Sequence, residues 1–376
     1  MSNLDFAITP LKAIPLIERA MRKRIVPILK GSPGIGKSDI MRKIARKHGL
    51  KLVDIRLAQV DPVELNGFPN FTADGKAVYA PMDIFPTKGQ ELPLLPEFED
   101  KQGEYDAALG FGSKEEIKEF QKEFCYKGWL LFFDEITSAN RQVQAAAYKI
   151  ILDHLVGQFE LHPNALCVAA GNLSTDKAVV NPMSTALQSR MAHLTLRVDK
   201  DEWVQWAIEN GVDPRVIAFI EYRDDLLHDF NPNHNSDTFP CPRTWKFMSD
   251  LVEDDTTIST SLMPLLVGTV GSGAAGEFRT FTEIWQDLPS LKDIAAAPKH
   301  TNVPREGATC YATVGMLASS VDLTNIQAVC EYVRRLGSEF QLVFVRMAFK
   351  YNRTLIQNPT FQQMLKDFRK DLKDEE

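Results

Sequence analysis

The sequence predicts an α/β protein built on a parallel sheet, and three observations carry that prediction. A glycine-rich loop lies between a short apolar strand and an amphipathic helix, an unbroken apolar strand ends in two carboxylates, and a further apolar strand ends in Gly171-Asn172. Strands of parallel sheets read as continuous apolar runs because helices cover both faces. The loop is Gly31-Ser-Pro-Gly-Ile-Gly-Lys37-Ser38, with the spacing G-x-x-x-x-G-K-[ST]. Glycines at that spacing let the backbone turn tightly, so that successive N–H groups face an anion. Lys37 adds a point charge and Ser38 offers a hydroxyl to Mg²⁺, which makes Gly31, Pro33, Gly34, Ile35, Gly36, Lys37 and Ser38 the candidate phosphate cradle.

The flanks fit. Val26-Pro-Ile-Leu29 is apolar, and Pro27 is tolerable where a strand opens, since its missing N–H removes little from the ladder. Lys37 to His48 carries Ile40, Met41, Ile44 and Ala45 at helical spacing before Gly49 stops the helix. A helix starting there aims its partly positive N-terminus at the anion.

Leu52-Val-Asp-Ile55 reads as the second strand, and Ala58 to Phe71 as an irregular stretch punctuated by Pro62, Gly67 and Pro69. Residues 86–127 are acidic and proline-bearing, with a helix from Ser113 to about Phe124, and read as an inserted surface excursion. Trp129-Leu-Leu-Phe-Phe133 is a buried strand delivering Asp134-Glu135 to the carboxyl edge, where ligands bind in open α/β sheets. There Asp134 is suited to a Mg²⁺ shell, and Glu135 to activating a water for attack on a γ-phosphate. A helix follows over Ala139 to Val156, with Val143, Ala146, Ala147, Ile150, Ile151 and Leu155 on one face and Gly157 as its stop. A short hairpin is expected over 158–165. The strand Leu166 to Ala170 then brings in Asn172, whose amide can hydrogen-bond the attacking water or the γ-phosphate.

The remainder, from Asp199, reads as helical, with Trp203, Trp206, Ile208, Ile217, Phe219 and Ile220 as core candidates. An Asn- and Pro-rich linker covers 231–237, a proline-marked loop covers 291–304, and apolar-periodic helices run over Ile326 to Leu336 and Glu339 to Tyr351. The tail 366–376 reads as solvated.

Bulk properties narrow the function. With 376 residues, 44% hydrophobic and 25% charged, the chain is ordinary globular material with room for two or three domains. A formal net charge of −7 argues against nonspecific grip on nucleic acid. Arg19, Arg22, Lys23 and Arg24 read as the solvated face of an amphipathic helix opened by Pro15, with Ile14, Ile17 and Met21 opposite. No apolar run approaches the roughly 18–20 residues of a membrane span and no signal peptide is recognisable, so a cytoplasmic protein without membrane insertion is expected. Cys125, Cys167, Cys241, Cys310 and Cys330 lack close pairing and read as reduced packing residues. His193, His228 and His234 have no metal-ligand spacing.

With GSPGIGKS, LLFFDEI and VAAGN in this order, the chain resembles the AAA+ ATPases, and among them the MoxR-like and dynein-related (midasin-like) group. The likeness extends through Asp54 to Gly67 and Glu135 to Ala145 and covers about residues 10–260. It implies a five-stranded parallel sheet sandwiched by helices within residues 1–200, followed by an α-helical lid and further helices over 201–376. It implies ATP and Mg²⁺ as ligands, with Arg190 as an arginine finger and Arg243 as sensor 2. A finger acting on a neighbour implies a homo-oligomeric ring, in this group a hexamer. The group's role is chaperone-like work on a protein client, commonly with a von Willebrand factor A-type partner. The stretch Asp61 to Phe68 would face the pore, with Phe68 either gripping polypeptide or packing locally.

Three competing functions are weighed against this. A nucleic-acid motor or loader on the same core predicts basic residues in the pore loop, where Asp61 and Glu64 are acidic. A structural switch with little turnover predicts loss of the catalytic carboxylate, and Glu135 is present. A small-molecule kinase leaves Asn172, Arg190 and Arg243 unexplained. The 86–127 insertion is longer than the group's pattern and bears on pore geometry rather than on the hydrolytic site.

Overall fold

Residues 6–176, 181–233 and 236–368 are described by the structure, a computed structural model. The chain divides into two units, Met1–Arg197 and Val198–Glu376.

The first unit runs α1 (Pro10–Arg22), β1 (Val26–Lys30), α2 (Lys37–His48), β2 (Lys51–Arg56), α3 (Pro62–Asn66), β3 (Phe68–Phe71) and β4 (Ala77–Ala80). The insertion follows with α4 (Gln102–Phe111) and α5 (Lys114–Phe124), then β5 (Trp129–Asp134), α6 (Arg141–Asp153), β6 (Leu155–Val156) and β7 (Phe159–Glu160). The unit ends with β8 (Ala165–Gly171), α7 (Thr185–Gln188) and β9 (Met191–Thr195). Five strands form one parallel sheet in the order β2-β5-β8-β1-β9. The apolar runs that predicted central strands are buried as expected: Leu130 through Phe133 and Val168 through Ala170 have no exposed surface. Pro27 sits one residue ahead of the β1–β8 pairing, which begins at Ile28, so its lack of an N–H is harmless.

Several boundaries differ from the sequence expectation for local reasons. Helix α1 starts at Pro10 and carries Pro15 inside it. Arg24 is not part of a solvated helix face: it lies beyond the helix with φ 56°, and its guanidinium donates to Pro163 O (2.6 Å) and Ala165 O (3.0 Å). The stretch after β2 is ordered, as α3 followed by the β3–β4 hairpin. Helix α6 stops at His154, which takes a left-handed C-cap with φ 54°, so Leu155 and Val156 pair with Phe159 and Glu160 and Gly157 turns a hairpin instead of ending the helix. The last strand, which the sequence reads as Ala192 to Val198, runs over Met191–Thr195, and Leu196 instead forms a lone bridge with Ile8.

The insertion is a helical pair with its own aromatic packing. The Tyr105 and Phe120 rings stack at 5.1 Å, and Phe124 meets Phe120 at 4.8 Å and Phe98 at 5.0 Å. Ser113 caps α5 as anticipated, its Oγ accepting from Glu116 N.

The second unit is helical: α8 (Lys200–Glu209), α9 (Pro214–Tyr222), α10 (Pro242–Val252), α11 (Met263–Val270), α12 (Ser272–Gln286), α13 (Leu291–Ala296), α14 (Gly307–Ser320), α15 (Ile326–Val333), α16 (Ser338–Tyr351) and α17 (Pro359–Asp367). Its core gathers Phe219, Trp245, Phe278 and Phe281. Among the named core candidates, Trp203, Ile217, Phe219 and Ile220 are buried, while Trp206 and Ile208 pack at the margin. Two buried ion clusters brace it. Arg215 binds both Asp213 oxygens and the carbonyls of Val252 and Asp255. Glu221 accepts from Lys200 and Arg346, and Arg346 also meets Asp201.

All five cysteines are buried and free, and burial pushes the Cys167 and Cys330 thiols up to about 12. No helix among the described residues is long and apolar enough to cross a membrane. His234 and Asn235 of the expected linker, and the tail beyond Phe368, lie outside the described residues.

Candidate functional site

The carboxyl ends of β1, β5 and β8 are neighbours in the sheet, so their loops share one edge. The loop from β1 to α2 needs left-handed backbone at Gly34 (φ 77°) and Gly36 (φ 90°), and a Cβ on Gly36 would meet nothing within 4 Å. Glycine is therefore demanded at Gly36 by its φ, not by crowding. The Lys37 ammonium donates to Gly31 O (2.7 Å), Ser32 O (3.0 Å) and Asn172 Oδ1 (3.3 Å). Ser38 Oγ donates to Asp134 Oδ2 at 3.3 Å. The cradle, Asp134 and Asn172 thus meet although 96 and 135 residues separate the paired positions.

Asp134 Oδ1 accepts the Glu135 N–H at 2.8 Å. Glu135 itself is left-handed, with φ 57°, a conformation that a side chain beyond glycine takes at a cost of order 1–2 kcal/mol. Its carbonyl accepts from Ser138 N and Ala139 N, which closes a tight turn directly after Asp134. Thr137 Oγ1 accepts from Asn172 N at 2.9 Å. A Cβ on Gly171 would lie 2.6 and 2.7 Å from Thr137 Cγ2 and Oγ1, so the strand tip carries glycine to admit that side chain.

Burial and the neighbouring Asp134 charge raise the Asp54 carboxyl above its ordinary range, against the pull of Arg56 and Arg42. The Ser38 hydroxyl and the Asp134 carboxylate are hard oxygen donors, the set Mg²⁺ prefers, and they stand within hydrogen-bond distance beside the cradle. Among the described residues no cluster of three or more His, Cys, Asp or Glu side chains could hold a metal by itself.

Arg190 is elsewhere. It precedes β9, whose first residue pairs with Val26 at the start of β1, whereas the cradle follows Lys30 at the other end. Four residue steps of strand put about 13 Å between those levels. Arg190 is exposed there and lines a groove of about 350 Å³ with Arg24, Asp153 and His154. Arg243 belongs to the second unit, exposed in the first turn of α10.

The stretch expected to face a pore is a capped helix plus a hairpin: Asp61 N–H donates to Glu64 Oε1 at 2.8 Å. Phe68 is not a packing residue; it is 52% exposed, while Phe71 (73%) and Tyr79 (51%) are exposed on the other face of the same hairpin. Sequence reasoning missed Thr137, Gln144 and Asn181, which hold the turn after Glu135. For Gln144 a signal existed, an amide three and seven positions before Ala147 and Ile151 on the buried face of α6.

No family model matches the chain, and no curated protein matches it. Solved structures do show likeness. A protein of Cytophaga hutchinsonii described as a "putative ATPase" is 12% identical at a TM-score of 0.34, over 97% of this chain and 91% of that one. Two single-substitution variants of Thermotoga maritima RuvB are each 15% identical, at TM-scores of 0.36 and 0.34, over 79% and 78% of this chain and 83% of theirs. Likeness of that size carries no functional information. The chain's own topology, a glycine loop between β1 and α2 of a β2-β5-β8-β1-β9 sheet followed by a helical unit, is that of an α/β P-loop NTPase core.

Proposed function

We propose that the chain is an ATPase of the AAA+ class and MoxR-like type, working as a ring that remodels or assembles a protein client. The observation that carries the reading is the Lys37–Asn172 and Ser38–Asp134 contact set, which joins the tips of three adjacent strands around one glycine cradle with Glu135 beside it.

In this reading the loop N–H groups and Lys37 hold the β- and γ-phosphates, and Ser38 with Asp134 would hold Mg²⁺, which neutralises charge on the phosphate oxygens. Glu135 accepts a proton from the attacking water, and Asn172 orients that water or the γ-phosphate. Arg190, about 13 Å of strand away from its own cradle, is suited to a neighbour's nucleotide. A head-to-tail ring, a hexamer in this group, supplies that neighbour. Arg243 is assigned as sensor 2 by its motif. The exposed Phe68, Phe71 and Tyr79, with acidic Asp61 and Glu64 close by in the chain and a net charge of −7, favour a polypeptide client over a polyanion. A von Willebrand factor A-type protein is the partner class to test first.

The test is ATPase activity per subunit against protein concentration for the wild type, Glu135→Gln, Arg190→Ala and an equimolar mixture of the two variants. Activity should climb with concentration, fall about 10³-fold or more in Arg190→Ala, and recover partly in the mixture. Flat concentration dependence together with wild-type turnover in Arg190→Ala refutes the shared site. Stimulation by single-stranded or duplex DNA, without stimulation by unfolded polypeptide, would move the client assignment to nucleic acid.

A further inference from the structure

The turn that presents Glu135 and the segment that leads to Arg190 are joined by two side chains, Gln144 and Asn181. Gln144 on α6 is 3% exposed, and its Nε2 faces three carbonyls: Ile136 O (3.0 Å), Ala139 O (3.2 Å) and Asn181 O (3.3 Å). The first two belong to the turn after Glu135. The third belongs to the stretch that begins at Asn172 and reaches Arg190 nine residues after Asn181. Asn181 reinforces the junction from its own side, with its N–H donating to Thr137 O (2.7 Å) and its Nδ2 to Ala139 O (2.9 Å).

From Asn181 to Arg190 the path is short and braced. Met183 and Leu187 are buried, Gln188 Nε2 donates to Met183 O (2.8 Å), and the His193 ring meets Gln188 O (2.8 Å). At the other end Thr137 Oγ1 accepts from Asn172 N. Two amide hydrogens shared among three carbonyls, beside the two Asn181 bonds, tie the segments so that a shift of one loosens the hold on the other.

We infer that Gln144 is a positioning residue that sets Glu135 for its own subunit's site and Arg190 for the neighbour's. It touches no substrate and acts through the Ile136–Ala139 turn and Asn181. The inference rests on the proposed ATPase reading, and it gives the hydrolytic loop and the finger-bearing segment a common anchor.

The test uses the full chain carrying Gln144→Met, which nearly conserves volume while removing both donors. The first readout is independent of turnover: hydrogen exchange of peptides covering 136–139 and 181–190. Losing shared bonds of ordinary strength should speed exchange in both segments by about 10-fold or more, with β5 and α2 unchanged. Deprotection of only one segment, or of neither, overturns the inference even if the protein proves not to be an ATPase. The second readout is turnover. Gln144→Met should keep nucleotide affinity within about threefold and lose about 10- to 100-fold in kcat, because its loss falls on orientation rather than binding.

The third readout isolates the finger. Arg190→Ala mixed with Gln144→Met should recover less activity than Arg190→Ala mixed with Glu135→Gln, because only the first pairing offers a misplaced Arg190. Equal recovery overturns the shared anchor, whereas no recovery in the control mixture overturns the ring reading and leaves hydrogen exchange to judge Gln144. Should Gln144→Met fail to fold, Gln144→Asn retains both donors but withdraws them by about 1.5 Å. It should then show the same two-segment deprotection at smaller amplitude, and wild-type exchange in either segment counts against the inference.

Discussion

Replacing Glu135 by glycine should stabilise the protein while abolishing turnover, and replacing it by glutamine should abolish turnover without that gain. Glu135 is held at φ 57°, and its N–H is committed to Asp134 Oδ1. Left-handed backbone costs a residue with a Cβ about 1–2 kcal/mol, and glycine returns roughly 0.5–1 kcal/mol of that through its freer unfolded chain. The net gain is about 0.5–1 kcal/mol, or about 1–4 °C in Tm for a unit of this size. Glutamine keeps φ, shape and the backbone bond. Both substitutions remove the same carboxylate charge, so the difference between them reports the backbone term together with the loss of the half-buried side chain. Denaturant titration of the nucleotide-free protein measures that difference directly, and ATPase assays report the shared loss of turnover. A glycine variant less stable than the glutamine variant would refute the claim that strain is stored at Glu135, and turnover surviving in either would remove Glu135 as the base.

Two further expectations concern stability alone. Arg215→Met leaves the buried Asp213 carboxylate without its guanidinium and the Val252 and Asp255 carbonyls without their donor. The helical unit should lose about 3–5 kcal/mol in denaturant unfolding, and a loss under about 1 kcal/mol would show the pair to be dispensable. Glu18 on α1 meets Lys47 (2.8 Å) and His48 (2.9 Å) at the end of α2. Burial pushes its carboxyl up, but hydrogen bonds and charge from Lys47 and His48 outweigh it, leaving the carboxyl below its ordinary value. A depressed carboxyl stabilises the folded state above the unfolded pKa and loses that contribution as pH falls through the folded pKa. Glu18→Gln should therefore cost about 0.5–1 kcal/mol near neutrality, with the gap from wild type closing below about pH 4. A gap independent of pH contradicts the pairing.

The strands of the central sheet and the residues at its carboxyl edge were legible because each rests on short-range chemistry. A glycine loop, an apolar run and a carboxylate pair are each contained within eight residues, and burial of β1, β5 and β8 on both faces leaves no ambiguity of period there. What escaped depends on contacts that spacing does not encode. Arg24 lies next to a basic helix in sequence, yet a left-handed residue turns it toward two carbonyls some 140 positions away. Helix α6 stops three residues before the glycine that seemed to end it, because the C-cap fell to His154, a residue with no strong left-handed signature. Ala58 to Phe71 read as irregular because Pro62, Gly67 and Pro69 break every window long enough to show a period, although those same residues open a capped helix and a hairpin. Gln144 was hidden for the opposite reason, as one polar residue inside an apolar face that the period alone would count as noise.

The two ends of the sheet give the proposed ring a requirement that a looser association would not meet. The cradle, Asp134, Glu135 and Asn172 occupy the carboxyl edge, while Arg190 belongs to the amino edge about 13 Å of strand away. An isologous dimer pairs residue i with residue j and j with i, so it completes such sites only where Arg190 and the cradle share one patch, and it stops at two subunits. A heterologous contact sets one subunit's amino edge against the next subunit's carboxyl edge without that condition, and such contacts close into rings or run on as filaments. Gln144 then matters beyond its own subunit. Any displacement of the turn behind Glu135 pulls on Asn181 through the same amide, and Arg190 is nine residues further on, past the buried anchors Met183 and Leu187, which gives a change at one nucleotide a route to the next in the proposed ring.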